Sequence, residues 1–267
     1  EFDLPGYIAG SDLESGLDLG RIYRVVSEAK PIDRKQPRLS RASVAQLAEC
    51  LSSRNGWWRY TAQRLLVERR DQGSMPVLRN MALTGGNPLG RLHALWTLDG
   101  LEAMDWKIGL EALDDRDERV RATAVRLGER LVARAGGDGA KRLLEKLSRL
   151  ADEPSTLVRL QTLLSLGVFD IDRAMQLMVK LVSENEHHLF RAAAMTSLPG
   201  RELEFLSELG RLPAWLAPND HRRRMIALLA QAVVDEADPP RIARLLARLD
   251  AQPGPDSAAP PASDRIA

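Results

Sequence analysis

The stretch NGWWRYTAQRLL, residues 55–66, carries the pattern that decides the fold. It begins with Asn55, a good helix N-cap, and continues with Arg59 and apolar residues at helical spacing. Similar stretches recur along the chain. They are NPLGRLHALWTL from Asn87, DERVRATAVRLG from Asp117, STLVRLQTLLSL from Ser155, EHHLFRAAAMTSL from Glu186 and NDHRRRMIALLA from Asn219. A repeat of this period is the signature of a stacked helical array.

An arginine at the equivalent position of each repeat sets the register. These residues are Arg59, Arg91, Arg121, Arg159, Arg191 and Arg223, with successive spacings of 32, 30, 38, 32 and 32 residues. Three positions later the residue is small, with Ile226 as the exception; the small residues are Ala62, Ala94, Ala124, Thr162 and Ala194. A small side chain there allows two helices to approach closely. The predicted N-caps are Asn55, Asn87, Asp117, Ser155 and Asn219.

A second set of apolar helices fills the intervals between these stretches. The predicted ranges are Ser43–Leu51, Met75–Leu83, Trp106–Leu113, Ala140–Leu150, Asp172–Val182, Glu202–Leu209 and Pro240–Leu249. A single helical pair of this length cannot bury its apolar face, whereas stacked pairs create a continuous core. We therefore predict an all-α fold, a right-handed α-solenoid of HEAT-like helical pairs over residues 42–250.

The two ends of the chain have a different character. Residues 21–26, RIYRVV, have the β-branched and aromatic composition of a short strand after a glycine, and the following residues to 41 are predicted to be a linker with prolines. Residues 251–267 are rich in Pro, Ala, Ser and Asp, which predicts a disordered tail or linker. Because the chain also lacks an initiator methionine, we expect it to be an internal fragment of a longer protein or a trimmed form of one.

Composition and motifs argue against several classes of function. The 38 basic and 37 acidic residues give a net charge of +1, which argues against a dedicated nucleic-acid binder. The single cysteine, Cys50, forms no CxxC or CxxCH motif and is expected to be a buried structural thiol. No apolar run is long enough for membrane insertion, and no metal, phosphate-loop or nucleophile motif is present. We therefore expect a non-catalytic chain with no cofactor and no metal.

Two groups of residues are candidates for interaction. Adjacent Trp57 and Trp58 point about 100° apart on a helix, so one of them could anchor a neighbouring domain, or both could simply cap the first repeat.

The arginines could line a surface that binds an anionic partner, or each could bond the turn beside it. This set is Arg59, Arg91, Arg121, Arg159 and Arg191. The run His221-Arg222-Arg223-Arg224 indicates a local positive patch or, more simply, a solvated helix start, and His93 is interpreted as a packed histidine.

Three phrases resemble one group of large bacterial proteins, the membrane-bound dehydrogenase family typical of planctomycetes. SGLDLGRIYR, residues 15–24, is similar to the phrase that ends their β-propeller; NGWWRYTAQRLL and LGRLHALWTLDGL, residues 55–66 and 89–101, are similar to their first helical repeats. The resemblance implies a HEAT region between a propeller and a c-type cytochrome domain. It implies that residues 1–41 hold a propeller remnant plus linker, and it suggests a periplasmic or cell-envelope location.

The sequence leaves three hypotheses for function. The first is a scaffold that holds the adjacent propeller and cytochrome domains of the parent chain, or binds another protein. The second is a stand-alone helical-repeat protein that binds nucleic acid or an acidic protein partner. The third is an enzyme, such as a lyase acting on a bilin, for which the required carboxylate and histidine cluster is not found.

Overall fold

Helical pairs follow one another along the computed structural model, which describes residues 29, 38–135, 137–216 and 219–250. The chain divides into two units, Glu1–Arg38 and Leu39–Ala267, and every helix of the described residues belongs to the second. The predicted strand at residues 21–26 and the predicted tail at 251–267 lie outside the described residues.

The described helices alternate between two sets. The first helices of the pairs are α1 (Val44–Cys50), α3 (Ser74–Thr84), α5 (Trp106–Ala112), α7 (Gly137–Leu150), α9 (Ile171–Glu184) and α11 (Glu202–Leu209). The second helices are α2 (Gly56–Arg69), α4 (Pro88–Gly100), α6 (Glu118–Ala135), α8 (Thr156–Ser165), α10 (His188–Ser197) and α13 (Asp220–Asp235). A short α12 (Pro213–Leu216) precedes α13, and α14 (Pro239–Asp250) follows it. Two 3-10 helices, η1 (Leu39–Arg41) and η2 (Leu166–Val168), complete the described set.

The predicted caps begin the second helices. Asn55 and Asn87 accept hydrogen bonds from the amides two residues further on, at 3.0 and 2.9 Å. Asp117 accepts from Arg119 N at 3.0 Å, and Asn219 accepts from Arg222 N at 2.9 Å. Ser155 plays the same part for α8. Each cap satisfies an amide that a helix N-terminus otherwise leaves without a partner, so the register predicted from the sequence is confirmed.

Stacking of the pairs buries one continuous core. Each second helix packs against the next, and α1, α3 and α5 each pack against the following first helix. The small residues after the arginines lie in this core; Ala62, Ala94 and Thr162 are fully buried. Gly100 shows how closely the second helices approach, because a Cβ there would lie 2.8 Å from Cγ2 of Val67 in the preceding repeat. The all-α solenoid fold predicted from the sequence is confirmed.

The segment before α1 also packs on this core. Leu39 of η1 is buried, and Arg69 at the end of α2 donates to the carbonyl oxygens of Leu39, Ser40 and Ala42. The sequence pattern places residues 39–41 in a linker instead. The three hydrogen bonds from one guanidinium explain why this stretch is held against the first repeat.

Two local expectations need correction. Cys50 is half-buried rather than fully buried, and burial together with the Glu49 carboxylate raises the pKa of its thiol. His221 is buried rather than part of a solvated basic run, and its ring lies within hydrogen-bonding distance of the carbonyl oxygens of Val182 and Glu186. Both differences come from tertiary contacts that a helical period cannot specify.

Candidate functional site

The repeated arginines occupy the same place in each pair. In five of the repeats the arginine donates from its Nη1 back to the turn that precedes its own helix. Arg59 bonds the carbonyl of Ser53 at 2.6 Å and Arg91 that of Gly85 at 2.8 Å. In the later repeats Arg121, Arg159 and Arg191 bond the carbonyls of Asp115, Glu153 and Glu186. These contacts match the alternative in which each arginine bonds the turn beside it. We call these five arginines the arginine ladder.

The same arginines also reach forward to the next repeat. Arg91 donates from Nε and Nη2 to the two carboxylate oxygens of Asp115, at 2.6 and 2.7 Å. Arg121 pairs with Glu153, and Arg159 donates to Asn185 Oδ1 at 3.2 Å. These three acceptors each stand two residues before the cap of their own second helix, at residues 117, 155 and 187. Each of these arginines therefore joins its own turn to the following one.

Asp115 and Glu153 serve two arginines each. The Asp115 carboxylate accepts from Arg91, while its carbonyl accepts from Arg121. Glu153 repeats the arrangement between Arg121 and Arg159. The result is an unbroken series of hydrogen bonds from the second repeat to the fifth. Buried, charge-assisted bonds of this type give a stack a defined geometry.

At both ends of the series the arginine contacts a histidine of the next second helix instead of an Asp, Glu or Asn of the turn. Arg59 Nε donates to His93 Nε2 at 3.1 Å, so the Nδ1–H donates to Gln63 Oε1 at 2.7 Å. Burial, and secondly the charge of Arg59, lowers the pKa of His93 from 6.5 to about 4. At the other end Arg191 Nη1 lies 2.8 Å from His221 Nδ1. His93 is thus a packed, neutral histidine, as its sequence context predicted.

The guanidinium groups of the ladder are consequently engaged within the protein. Arg91 is 2% exposed and Arg191 is 9% exposed. The remaining candidates, Trp57 and Trp58, divide as their spacing predicted: Trp57 is 65% exposed and Trp58 is half-buried. Tyr60, one turn further along α2, is also 65% exposed.

An outward stripe runs along the second helices α2, α4, α6, α8 and α10 at positions two, five and nine after the cap, except at position five of α6, where Ala122 is buried. We call it the second-helix face. On α2 and α4 it consists of Trp57, Tyr60, Arg64, Leu89, Leu92 and Trp96, and on α6 of Arg119 and Arg126. On α8 and α10 it consists of Leu157, Leu160, Leu164, Leu189, Ala192 and Thr196. All of these side chains are exposed or half-buried, and they share one face because their helices pack in the same register.

The third repeat interrupts this apolar stripe with arginines. Arg119, Arg126 and Arg130 of α6 have side chains 52, 55 and 56% exposed. Their carboxylate partners Asp117, Glu129 and Asp99 are only 18, 16 and 2% exposed. Hydrogen bonding from Arg119 holds the pKa of Asp117 at about 2, so this carboxylate is ionised at neutral pH.

A cleft of about 480 Å³ lies on the other layer, between α7 and the start of α9. Leu144, Val168 and Phe169 contribute apolar surface, and Lys141 and Arg173 contribute charge. Within the described ranges, no cluster of His, Cys, Asp and Glu could hold a metal ion. Among the described helices, none combines the length and the apolar character needed to cross a membrane.

Similarity to known proteins is found among solved structures. No model of a protein family matches the chain, and no curated protein matches it. Among solved structures, the designed armadillo repeat protein YIII(Dq)4CqI is similar at 17% sequence identity, over 71% of this chain and 99% of that chain, with a TM-score of 0.41.

The sequence pattern identified the arginines and the tryptophans but not the second-helix face. A usable signal existed, because the residues two after the cap are Trp57, Leu89, Leu157 and Leu189 in four of the repeats. The acceptors Asp115, Glu153 and Asn185, each two residues before a cap, were a second usable signal.

Proposed function

We propose that this chain is a non-catalytic scaffold that binds another protein through the second-helix face. The observation that carries the proposal is the repeated exposure of large apolar side chains at one register. Trp57, Tyr60, Leu157 and Leu189 are 65, 65, 45 and 45% exposed. They fall into two groups, Trp57 with Tyr60 on α2 and Leu157 with Leu189 on α8 and α10. Grouped apolar surface with polar edges is typical of interaction sites, whereas single exposed apolar residues are ordinary.

The arginine series supports a scaffold by fixing the spacing of the second helices. A surface built from one face of each helix can fit a partner only if the helices hold their spacing. The bonds from Arg91 to Asp115 and from Arg121 to Glu153 join neighbouring repeats at equivalent points. We propose that the ladder arginines act on the partner indirectly, by positioning the helices whose outer residues make the contact.

Trp57 is the strongest candidate for an anchor. Tryptophan and tyrosine are enriched among the residues that contribute most to binding, because they offer a large area at a small entropic cost. Trp57 and Tyr60 stand beside each other on one turn of α2, and Trp96 follows on α4. Trp58 is proposed as a supporting residue at the edge of this group.

Peptide display provides a test of the surface. A library of random 16-residue peptides is selected on the intact chain, and the recovered peptides are titrated against two triple variants. The face variant is Trp57→Ala/Tyr60→Ala/Leu157→Ala. The control variant is Val77→Ala/Leu216→Ala/Leu246→Ala, which removes exposed apolar groups that lie outside the face.

The proposal predicts that the face variant loses affinity at least tenfold while the control variant keeps it. Thermal melts of both variants establish that the fold is intact. Recovered peptides that bind the face variant as tightly as the unchanged chain, or a selection that yields no binding above background, would contradict the proposal.

We also propose that this scaffold belongs to a larger propeller dehydrogenase–cytochrome protein. The support is the similarity of residues 15–24, 55–66 and 89–101 to the phrases of that family. Sequencing the locus through both ends tests it. A reading frame that runs upstream into propeller blades and downstream to a CxxCH motif is the expected result. A start codon before Glu1 and a stop codon after Ala267 would overturn the proposal.

A further inference from the structure

The side chains of the second-helix face change from apolar to cationic at its centre. A partner that covers the face needs groups complementary to both kinds of surface. Two apolar groups lie on the face, one on α2 and α4 and the other on α8 and α10. Between them α6 presents Arg119 and Arg126, followed one turn later by Arg130. A partner that covers the whole face therefore meets apolar, then cationic, then apolar surface.

The arginines of α6 keep a positive outer surface although each has an acidic partner. Asp99 is buried in α4 beneath Arg130, and Glu129 lies lower on α6 with Arg126 and Ser165 as its partners. The carboxylates are thus recessed while the guanidinium groups reach solvent. Each guanidinium has five N–H donors, and the bonds to Glu129 and Asp99 use one nitrogen of each arginine. The arginines are held in place by the recessed carboxylates, so binding costs little side-chain entropy.

We infer that the partner is a protein segment with an acidic centre flanked by two apolar anchors, an inference that rests on the proposed function. The spacing of the anchors follows from helix packing. Neighbouring packed helices lie about 9 Å apart, so the centres of the two apolar groups, three helix spacings from each other, are separated by about 27 Å. An extended chain covers about 3.3 Å per residue, which places the anchors about eight residues apart. Carboxylates midway between them would reach Arg119, Arg126 and Arg130.

Protein fits this surface better than nucleic acid does. Backbone recognition of DNA depends on basic residues distributed along the contact, because each one neutralises a phosphate. On the described part of the face three arginine tips are concentrated on α6, and Arg64 on α2 is the other. Leu157, Leu164 and Leu189 occupy the flank that phosphates would have to cross. Apolar side chains of a peptide would bury that flank.

The display selection also tests this inference through the composition of the recovered peptides. We expect enrichment of Asp and Glu near the centre and of Trp, Phe, Leu or Met at two positions about eight residues apart. The recovered peptides are then titrated against Arg126→Glu, with Arg142→Glu as the matched control. Arg142 is exposed on α7, in the other layer, so its reversal makes the same change of net charge away from the face.

The inference predicts that Arg126→Glu weakens binding at least tenfold, that Arg142→Glu changes it less than twofold, and that the loss shrinks as salt is raised. Peptides that lose binding in the face variant but are neutral or basic at their centre would overturn the inference and leave the proposed function standing. Peptides that bind the face variant as tightly as the unchanged chain would overturn both the inference and the proposed function. Salt-sensitive binding of a random DNA duplex that Arg126→Glu abolishes and the recovered peptides compete for would assign the surface to nucleic acid instead.

Discussion

Arg91 of α4 donates to both carboxylate oxygens of Asp115, 24 residues later, at 2.6 and 2.7 Å, and both side chains are almost entirely buried. The carbonyl of the same aspartate accepts from Arg121 of the next helix. One turn residue thus joins two repeats. This bidentate pair is the most enclosed ion pair on the described part of the chain, and the geometry of the ladder depends on it.

Asp115→Ala is expected to destabilise the chain strongly. It leaves the Arg91 guanidinium buried without its carboxylate, and breaking a buried pair in this way costs about 3 to 5 kcal/mol of the free energy of unfolding. Urea unfolding followed by circular dichroism measures the change. The matched control is Lys141→Ala, which breaks the exposed pair with Asp138 and should cost less than about 1 kcal/mol. Equal losses in the two variants would show that the Arg91–Asp115 bond contributes nothing beyond a surface pair.

Ala94→Asp and Ala62→Asp are expected to disrupt the stack. Both alanines are fully buried in the core, so the carboxylate would be buried without a partner. The loss should exceed about 3 kcal/mol in each variant. Ala227→Asp, on the exposed side of α13, controls for the lower helix propensity of aspartate. A melting temperature of Ala94→Asp within error of that of Ala227→Asp would refute the repeat register.

Asn87 has two separable functions at the start of α4. Its Oδ1 caps the helix by accepting from Leu89 N, and its Nδ2 donates to the carbonyl of Ser52 in the preceding repeat at 3.0 Å. Asn87→Ala removes both bonds and should cost about 1 to 2 kcal/mol. Asn87→Ser keeps an oxygen that can cap the helix but is too short to reach the carbonyl of Ser52, so chemical denaturation should find its stability between those of the unchanged chain and the Ala variant. A Ser variant as unstable as the Ala variant would mean that the cap contributes little.

The free energy of unfolding should decrease as the pH is lowered, because His93 becomes protonated on unfolding. Its pKa is 6.5 in its usual state and about 4 in the folded chain, so the unfolded state binds more protons between these values. The contribution of neutral His93 is complete above pH 6.5 and is lost progressively as the pH falls toward 4. His93→Gln should therefore show a smaller decrease in melting temperature from about pH 7 to about pH 5 than the unchanged chain. His188→Gln, at an exposed position, serves as control and should retain the full decrease; identical pH profiles for all three proteins would exclude this role for His93.

The sequence was enough to predict the caps, the alternation of helices and the buried small residues, because these are properties of local period and of single turns. Helix α11 begins and ends at the predicted residues, Glu202 and Leu209, and the other first helices differ from prediction by at most three residues at either end. Amphipathic spacing and capping hydrogen bonds involve residues within a few positions of each other, so they can be recognised without knowing the tertiary packing.

The partners of the arginines could not be predicted in the same way. Arg59 meets His93 34 residues later, whereas Arg91 meets Asp115 after 24 residues. Which acceptor lies within hydrogen-bonding distance of each arginine depends on how the turns are placed when the repeats stack. His221 shows the consequence, since it stands in a basic run but lies buried beside Arg191. The second-helix face was missed for a related reason: an apolar residue near a helix start looks like core until the packing shows that it points outward.

Hydroxyl-radical footprinting tests the central claim most directly, because it reports the solvent exposure of individual side chains. The chain is oxidised alone and with a saturating amount of the peptide recovered by display, and each side chain's modification is measured by mass spectrometry. The account predicts that Trp57, Tyr60, Leu157 and Leu189 become protected, while Leu216 and Leu246, which are also exposed but lie outside the face, keep their reactivity. Protection of Leu216 and Leu246 with Trp57 and Tyr60 unchanged would contradict the account and place the partner elsewhere on the solenoid.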